Sequence, residues 1–473
     1  MQKFNNETEG VITLLGDPKK AIIKLAIPMI VALSVTTLYN LVDTWWVSGI
    51  GPDALAAVGF VFPFFMMATA ISTGIGVGAG SAISRKIGAK NKDGADSIAT
   101  HTIIIMIIAA IIFSIVLLIF SNIIFEGIGA GNILEVALGY SQIIFAGSIF
   151  IFFTQIGFGI LRAEGDTKRA MYAMVLGAIL NIFLDPIFIY KELKIGDFSI
   201  PGLDLGVPGA AWATVISLII SSMIMFYWLF IKKDTFVTFN FRKFKFKRLI
   251  LKDIFSIAIP ASVQQISMSV TMIVITIILT KLVGTGSDGI AIYQTGWKVA
   301  TIALMPLLAI ATSVVSVVGA TFGAKNYSKL NNAYIYAIKI GLLIEIILAI
   351  IIYLSAPIIT ASFTTAEESA RIYDDLKNFI MIICVFYPGV PFGMFTSSMF
   401  QGTGKGLSAL IVTLLRTIIL TTFFTILFSV IFNFGINGVW WGLVLANLTG
   451  SFIAFMWGKI YINSLFTKKL IDV

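Results

Sequence analysis

An all-α membrane protein of twelve transmembrane helices, arranged as two parallel six-helix repeats in two lobes around a central cavity, is the fold class that the sequence predicts. Three observations predict it: apolar stretches each long enough for the roughly 20 residues that cross a bilayer, a regular alternation of basic and acidic connections, and motifs that recur half a chain apart. With 58% of 473 residues hydrophobic and only 12% charged, no soluble fold would hide so much apolar surface.

Each span is bounded by its flanking charges. The first, 21–48, opens behind Lys19, Lys20 and Lys24, and the second, 54–82, ends on Arg85, Lys86, Lys90 and Lys92. Spans 98–121 and 134–161 enclose Glu126 and Glu135 and close on Arg162, Lys168 and Arg169. Spans 169–190 and 207–231 enclose Glu192, Asp197 and Asp204 and run into a basic linker from Lys232 to Lys252. Spans 250–280 and 288–321 close on Lys325 and Lys329; spans 332–356 and 371–400 enclose Glu367, Glu368, Asp374 and Asp375 and close on Lys405. The last pair, 407–431 and 437–460, closes on Lys468 and Lys469. Lysine and arginine accumulate in cytoplasmic loops, so both termini are expected in the cytoplasm of a multi-pass protein of the cell inner (plasma) membrane. The net charge of +9 is then topology rather than a nucleic-acid footprint.

No cleavable signal peptide is expected, because Glu7, Glu9 and Asp17 stand where a basic start and a short apolar core would be. The single cysteine, Cys384, lies in span 10 and shows no zinc or redox spacing; the single histidine, His101, begins span 3. In the linker segment FNFRKFKFKRL, Phe241, Phe244 and Phe246 interleave with Arg242, Lys243, Lys245, Lys247 and Arg248. This reads as a connector whose aromatics rest at the membrane interface while its cations meet anionic headgroups.

Three motif pairs establish the repeat. LAIP at 25–28 returns as IAIP at 257–260, GAKN at 88–91 as GAKN at 323–326, and GVPGAAW from Gly206 as GINGVWW from Gly435, which sets Trp212 opposite Trp441; the offsets are 232, 235 and 229. Six spans per copy is an even number, so the copies run parallel, about an axis along the membrane normal. The division expected is an N-terminal lobe at 1–231, a basic linker at 232–252 and a C-terminal lobe at 253–473.

The duplicated sixes, LYNLVDTWWV in span 1, LRAEGDTKRA after span 4 and NIFLDPIF in span 5 together resemble the multidrug and toxic compound extrusion (MATE) family, in its DinF-like bacterial and archaeal branch. The resemblance covers essentially the whole chain. It implies export of organic cations and other amphipathic toxins in exchange for inward-moving sodium ions or protons, in a group that also contains flippases of lipid and oligosaccharide precursors.

Three acids lie deep within the spans, away from their ends: Asp43, Asp185 and Glu345. An ionisable group at such depth costs ~3 kcal/mol even on the lenient insertion scale and marks a functional candidate. Counted from Lys24 and Arg169, Asp43 and Asp185 lie ~28 Å and ~24 Å along their helices, at similar depth. Asn181 is one turn before Asp185, Tyr39 and Asn40 one turn before Asp43, and Ala210 and Thr214 reach the same level from span 6. Pro186 is expected to free a carbonyl near Ile182. Asp43, Asn181, Asp185 and Thr214 are thus the expected coupling site, oxygen-rich enough for a hard monovalent cation or, with two carboxylates close together, for a proton.

The substrate cavity is expected to draw on Tyr39, Asn40, Met66, Tyr140, Gln155, Lys298 and Arg416. In the second copy Glu345 is expected to neutralise Lys298 or Arg416; in the sharper alternative one of those bases faces the cavity and attracts an anionic group. The glycines of STGIGVGAGS, Gly74 to Gly80, are expected to pack helices closely rather than to hold phosphate, since no strand precedes them.

The function expected is an ion-coupled multidrug efflux antiporter working by alternating access on small-molecule substrates; the alternative is a flippase for a lipid-linked precursor or anionic lipid. An enzyme is not expected, because there is no buried nucleophile and base constellation, no metal motif and no ATP-binding loop. No cofactor beyond Na+ or H+ is expected, no nucleic-acid partner, and a monomer in the lipid bilayer.

Overall fold

In hydrocarbon every backbone N–H and C=O must find its partner within the chain, so long apolar runs close on themselves as helices. The computed structural model describes residues 8–195, 198–232, 234–242, 244–365 and 367–471; Glu7, Asp197 and Lys243 of the charge pattern lie outside them. The helices are α1 (Glu9–Leu15), α2 (Pro18–Ser48), α3 (Pro52–Gly88), α4 (Lys92–Gly127), α5 (Leu134–Ala146), α6 (Ser148–Ala163), α7 (Thr167–Ile189) and α8 (Gly206–Phe226). After the linker come α9 (Arg248–Ile277), α10 (Gly286–Ala303), α11 (Met305–Gly323), α12 (Tyr327–Phe363), α13 (Tyr373–Ile383), α14 (Val390–Gly402), α15 (Gly406–Leu414), α16 (Leu420–Ile426) and α17 (Gly435–Ile471). A two-stranded antiparallel hairpin, β1 (Glu192–Ile195) with β2 (Phe198–Pro201), joins α7 to α8.

Among the described residues eleven segments are singly long and apolar enough to span a bilayer, and α5 with α6, bent by 47°, makes a twelfth when counted as one span. Three expected spans are interrupted. Span 4 breaks at Gly147; span 8, expected as one helix over 288–321, is α10 and α11 meeting at Leu304, with Pro306 opening the second piece; span 10 breaks between Ile383 and Val390, where Pro388 and Pro391 fall. Proline supplies no N–H and its ring clashes with the preceding turn, so spans 8 and 10 restart at their prolines.

The chain packs as two compact units, residues 1–13 with 27–262 and residues 14–26 with 263–473. The start of α2 therefore belongs to the second unit and the first turns of α9 to the first.

In the first unit, glycine spacing sets the packing. A Cβ on Gly76 or Gly80 would stand 3.1 Å from the carbonyl of Gln155 or Gly159 on α6; one on Gly74 or Gly78 would stand 2.6 Å from the carbonyl of Ala258 or 2.5 Å from that of Ile254 on α9. Residues four apart share a face, so α3 presents one bare face to each neighbour. The expectation of close helix packing holds.

The linker is strapped to this unit. Thr238 donates through its N–H (2.8 Å) and its hydroxyl (2.6 Å) to the Asp96 carboxylate, the Asn240 N–H donates to the Thr100 hydroxyl at 3.3 Å, and the Lys247 N–H donates to Nε2 of His101 at 3.1 Å. The His101 ring meets Phe244 at 4.7 Å. Arg169 bonds Asp234 at 2.6 Å, and the Val237 N–H donates to Glu164 at 3.1 Å.

Burial pushes the Glu164 carboxyl up to about 8 from its usual 4.5, against the N–H groups of Val237 and Phe236, which favour the ionised form. The folded state then binds the proton more tightly than the unfolded one. Stability from this group is full below about 4.5 and is lost as pH rises to about 8. Thermal melts of detergent-solubilised protein are expected to show the melting temperature falling from pH 5 to pH 8, with a shallower fall for Glu164→Gln; an unchanged slope would refute the assignment.

The second unit has two apolar cores. One gathers Phe395, Met399, Phe400 and Tyr334 with Leu14, Ile22 and Leu25 from the start of the chain. The other is built on Trp440, stacked on Tyr293 at 6.3 Å and edge-on to Phe379 at 4.5 Å.

The repeat extends to backbone chemistry. Lys90 and Lys325 of the GAKN motifs both take positive φ (56° and 54°), and each following asparagine caps the next helix, Asn91 accepting from the Gly94 N–H and Asn326 from the Lys329 N–H. Gly206 and Gly435, which open the two GxxG segments, have φ of 57° and 56°. Such agreement requires the same turn in both copies.

Candidate ion-coupling and substrate site

The site in the first unit is built where α7 and α8 come close. A Cβ on Gly177 would run into the Ser221 hydroxyl, and one on Gly209 into the Phe188 carbonyl. Small residues let membrane helices approach, and polar groups between them then bond across the contact. One and two turns beyond Gly177 are Asn181 and Asp185, 2% and 0% exposed; Thr214, 7% exposed, faces them from α8.

With its nitrogen turned toward Asp185, the Asn181 amide donates to Asp185 Oδ2 at 2.8 Å, and its oxygen accepts from the Thr214 hydroxyl (3.2 Å) and N–H (3.3 Å). α2 brings in the rest. The Asp43 and Asp185 carboxyls lie close enough to interact directly, and Tyr39 stands beside Thr214 within electrostatic reach of both acids. Tyr140, from α5, stands within electrostatic reach of both acids and of Tyr39. Two carboxylates hold such a distance only with a proton or a cation between them. Asp185 is sealed, whereas Asp43 is half-buried and forms the accessible side.

The apolar group Val47, Ala54, Ile189, Val207 and Ala210 closes the end of the site beyond Asp43, with Trp46, Tyr140 and Tyr190 packed against it. α7 runs through Pro186 to Ile189, where the Tyr190 N–H still reaches the Pro186 carbonyl at 3.2 Å.

The structure thus gathers Asp43, Asn181, Asp185 and Thr214 with Tyr39 and Tyr140. Asn40 is exposed on α2, Met66 is 40% exposed on α3, and Gln155 is half-buried on α6. Among the described residues no three His, Cys, Asp or Glu side chains come together, so this is a two-carboxylate site.

In the second unit the expected neutralisation fails. Glu345 on α12 is fully buried, neither of its oxygens has a hydrogen-bond partner, and it forms no ion pair with Lys298 or Arg416. The reason is position. Arg416, in a π-helical turn (Leu415–Ile419), lies along α14 and α17: a Cβ on Gly393 would stand 2.6 Å from its Nη1, and one on Gly450 would stand 2.9 Å from its Cβ. Glu345 instead faces the break in span 10, within electrostatic reach of the Tyr387 hydroxyl. Lys298 is exposed on α10.

A buried carboxyl without a donor contributes no stability. Glu345→Gln is therefore expected to melt within about 2 °C of wild type, on the scale where ~1 kcal/mol shifts such a transition by a few degrees. A large fall would reveal a partner for the carboxylate.

Sequence reasoning missed Tyr190, whose hydroxyl donates to the Trp46 carbonyl at 2.6 Å. Its place five residues after Asp185 was a usable signal, but nothing in the spacing said which helix end it would reach.

A family model, MatE, matches residues 28–187 and 260–427. The multidrug export protein MepA of Staphylococcus aureus (strain MSSA476) is 27% identical over 433 residues, 90% of this chain and 90% of that protein. A solved structure described as the outward-facing conformation of a multidrug resistance MATE family transporter of the MOP superfamily is 44% identical with a TM-score of 0.91, covering 97% of this chain and 99% of that one. A MOP superfamily transporter from Pyrococcus furiosus, described as having a binding pocket of reverse polarity that suggests a different function, is 43% identical at the same TM-score, 0.91, and the same coverages of 97% and 99%.

Proposed function

The chain belongs to the MatE family of multi-pass membrane transporters, and on that premise we propose that it is an antiporter exporting amphipathic, mostly cationic organic compounds against inward-moving Na+ or H+ by alternating access. The observation that carries the reading is the approach of the Asp43 carboxyl, half-buried, to that of Asp185, sealed, on two different helices. A bound proton or cation cancels their repulsion; its loss restores it. That gives α2 and α7 two arrangements for an ion gradient to bias.

Asp43, Asp185, Asn181 and Thr214 offer carboxylate, amide and hydroxyl oxygens, which suit a hard monovalent ion. A proton fits the hydrogen-bonded arrangement directly. Sodium requires the Asn181 amide to turn its oxygen toward Asp185. The basic connections support a plasma-membrane protein with both termini in the cytoplasm, working on this reading as a monomer with no further cofactor.

A second reading, transport of a compound with an anionic group, is supported by Lys298 and Arg416, which have no carboxylate partner among the described residues. The multidrug export relative weighs against the flippase form of that reading. Purified protein in liposomes, loaded with cationic or anionic fluorescent substrates and given a sodium or a proton gradient separately, tests all of this. Efflux of the cationic dye under one gradient alone is expected and identifies the ion; efflux under neither would overturn the antiporter.

A further inference from the structure

Asp43 and Asp185 sit on different helices, and something must hold α2 against α7 closely enough for their carboxyls to meet. One turn before Asp43, Tyr39 stands beside Thr214 of α8. One turn after it lies Trp46, whose carbonyl, among the last of α2, accepts only the i+3 N–H of Gly49 at 3.2 Å and keeps a lone pair for a further donor. The Tyr190 hydroxyl donates to that carbonyl at 2.6 Å. Tyr190 is the first residue beyond α7, its extended backbone turning it back over the site.

Two further features show that the chain is shaped for this bond. Gly49 leaves the space: a Cβ there would run into the Tyr190 hydroxyl and stand 3.3 Å from its ring carbon Cζ. The Trp46 and Tyr190 rings also meet edge to face, 6.1 Å apart at 66°. The bond is part-buried, with both residues packed against the apolar group around Val47 and Ile189.

We propose that Tyr190 is a positioning residue for ion coupling: by capping the end of α2 at Trp46 it fixes Asp43 against Asp185 and so sets how tightly the pair holds its ion. The proposal rests on the antiporter reading above. Tyr190 touches neither carboxyl; it acts through the helix that carries one of them.

The test is the ion dependence of efflux by the full chain in liposomes. Tyr190→Phe keeps the ring and loses the hydroxyl, and the half-saturating ion concentration is expected to rise about fivefold, the worth of one net hydrogen bond, with the maximal rate at saturating ion retained. For a proton this is a midpoint shift of about 0.7 pH unit toward acid, the same fivefold change on a logarithmic scale. Gly49→Ala displaces the same hydroxyl from the other side and should give the same shift. The double variant should be no worse than Tyr190→Phe alone, because once the hydroxyl is gone the new methyl meets only the ring carbon Cζ and the Trp46 carbonyl, each at 3.3 Å.

An unchanged half-saturation in both single variants would overturn the proposal, as would additive effects in the double. So would a fall in maximal rate with half-saturation unmoved, which is the mark of a purely structural role. If wild type itself shows no ion dependence, the antiporter reading fails and this proposal falls with it. If either single variant does not fold, the other carries the test.

Discussion

Cells expressing Asp43→Asn at wild-type level are expected to lose ion-driven efflux by at least about tenfold, the scale of a typical coupling between two sites, while the protein stays inserted and folded. Asparagine keeps the volume and removes the charge. Asp43 is the half-buried member of a carboxyl pair whose other member, Asp185, is sealed and bonded to Asn181. The ion's arrival is therefore read at Asp43. Without its charge Asp185 keeps Asn181, the helices keep their packing, and an ion gradient no longer distinguishes two arrangements. Dye efflux and a melting curve on the same preparation check both halves of the statement; wild-type efflux in Asp43→Asn would move the coupling ion elsewhere.

Gly159→Ala is expected to destabilise the first unit strongly. Its Cβ would stand 2.6 Å from the Gly76 carbonyl oxygen and 2.8 Å from Gly76 Cα, all of it backbone on a packed helix. No side chain can swing aside, so α3 and α6 must part. Overpacking of this kind costs about 1–3 kcal/mol, and membrane helices held by close van der Waals contact have no hydrophobic effect to compensate. The control is Gly59→Ala on the same α3, where a Cβ meets nothing within 4 Å. Thermal melts should separate the two clearly; equal melting temperatures would show that the α3–α6 contact is softer than its geometry.

Most of the architecture was legible because the physics behind it is one-dimensional. Span length, charge alternation and motif offset need no knowledge of neighbours, and GAKN even carried its turn, with Lys90 and Lys325 in the same left-handed conformation. The meeting of Asp43 with Asp185 was legible through depth, which is counted along each helix. Facing is different. Helical period says which residues share a face but not which helix that face meets, so Glu345 was paired with Lys298 or Arg416 when it points to the break beside Tyr387. The interruption at Leu304 was written in Pro306, yet an apolar run of ordinary length concealed it. Tyr190 was hidden for a third reason: its partner is a carbonyl, and carbonyls have no letter in a sequence.

One consequence concerns the order in which the chain is made. Leu14, Ile22 and Leu25 leave the ribosome first, yet the core they complete is assembled from Leu330, Phe395 and Ile462, which leave it last. The opening segment must wait, inserted but unmatched, through the synthesis of nearly everything else. Biogenesis then cannot proceed one half at a time, as the duplicated sequence would invite. Final closure of the second unit therefore waits on helices translated long after the segment they enclose.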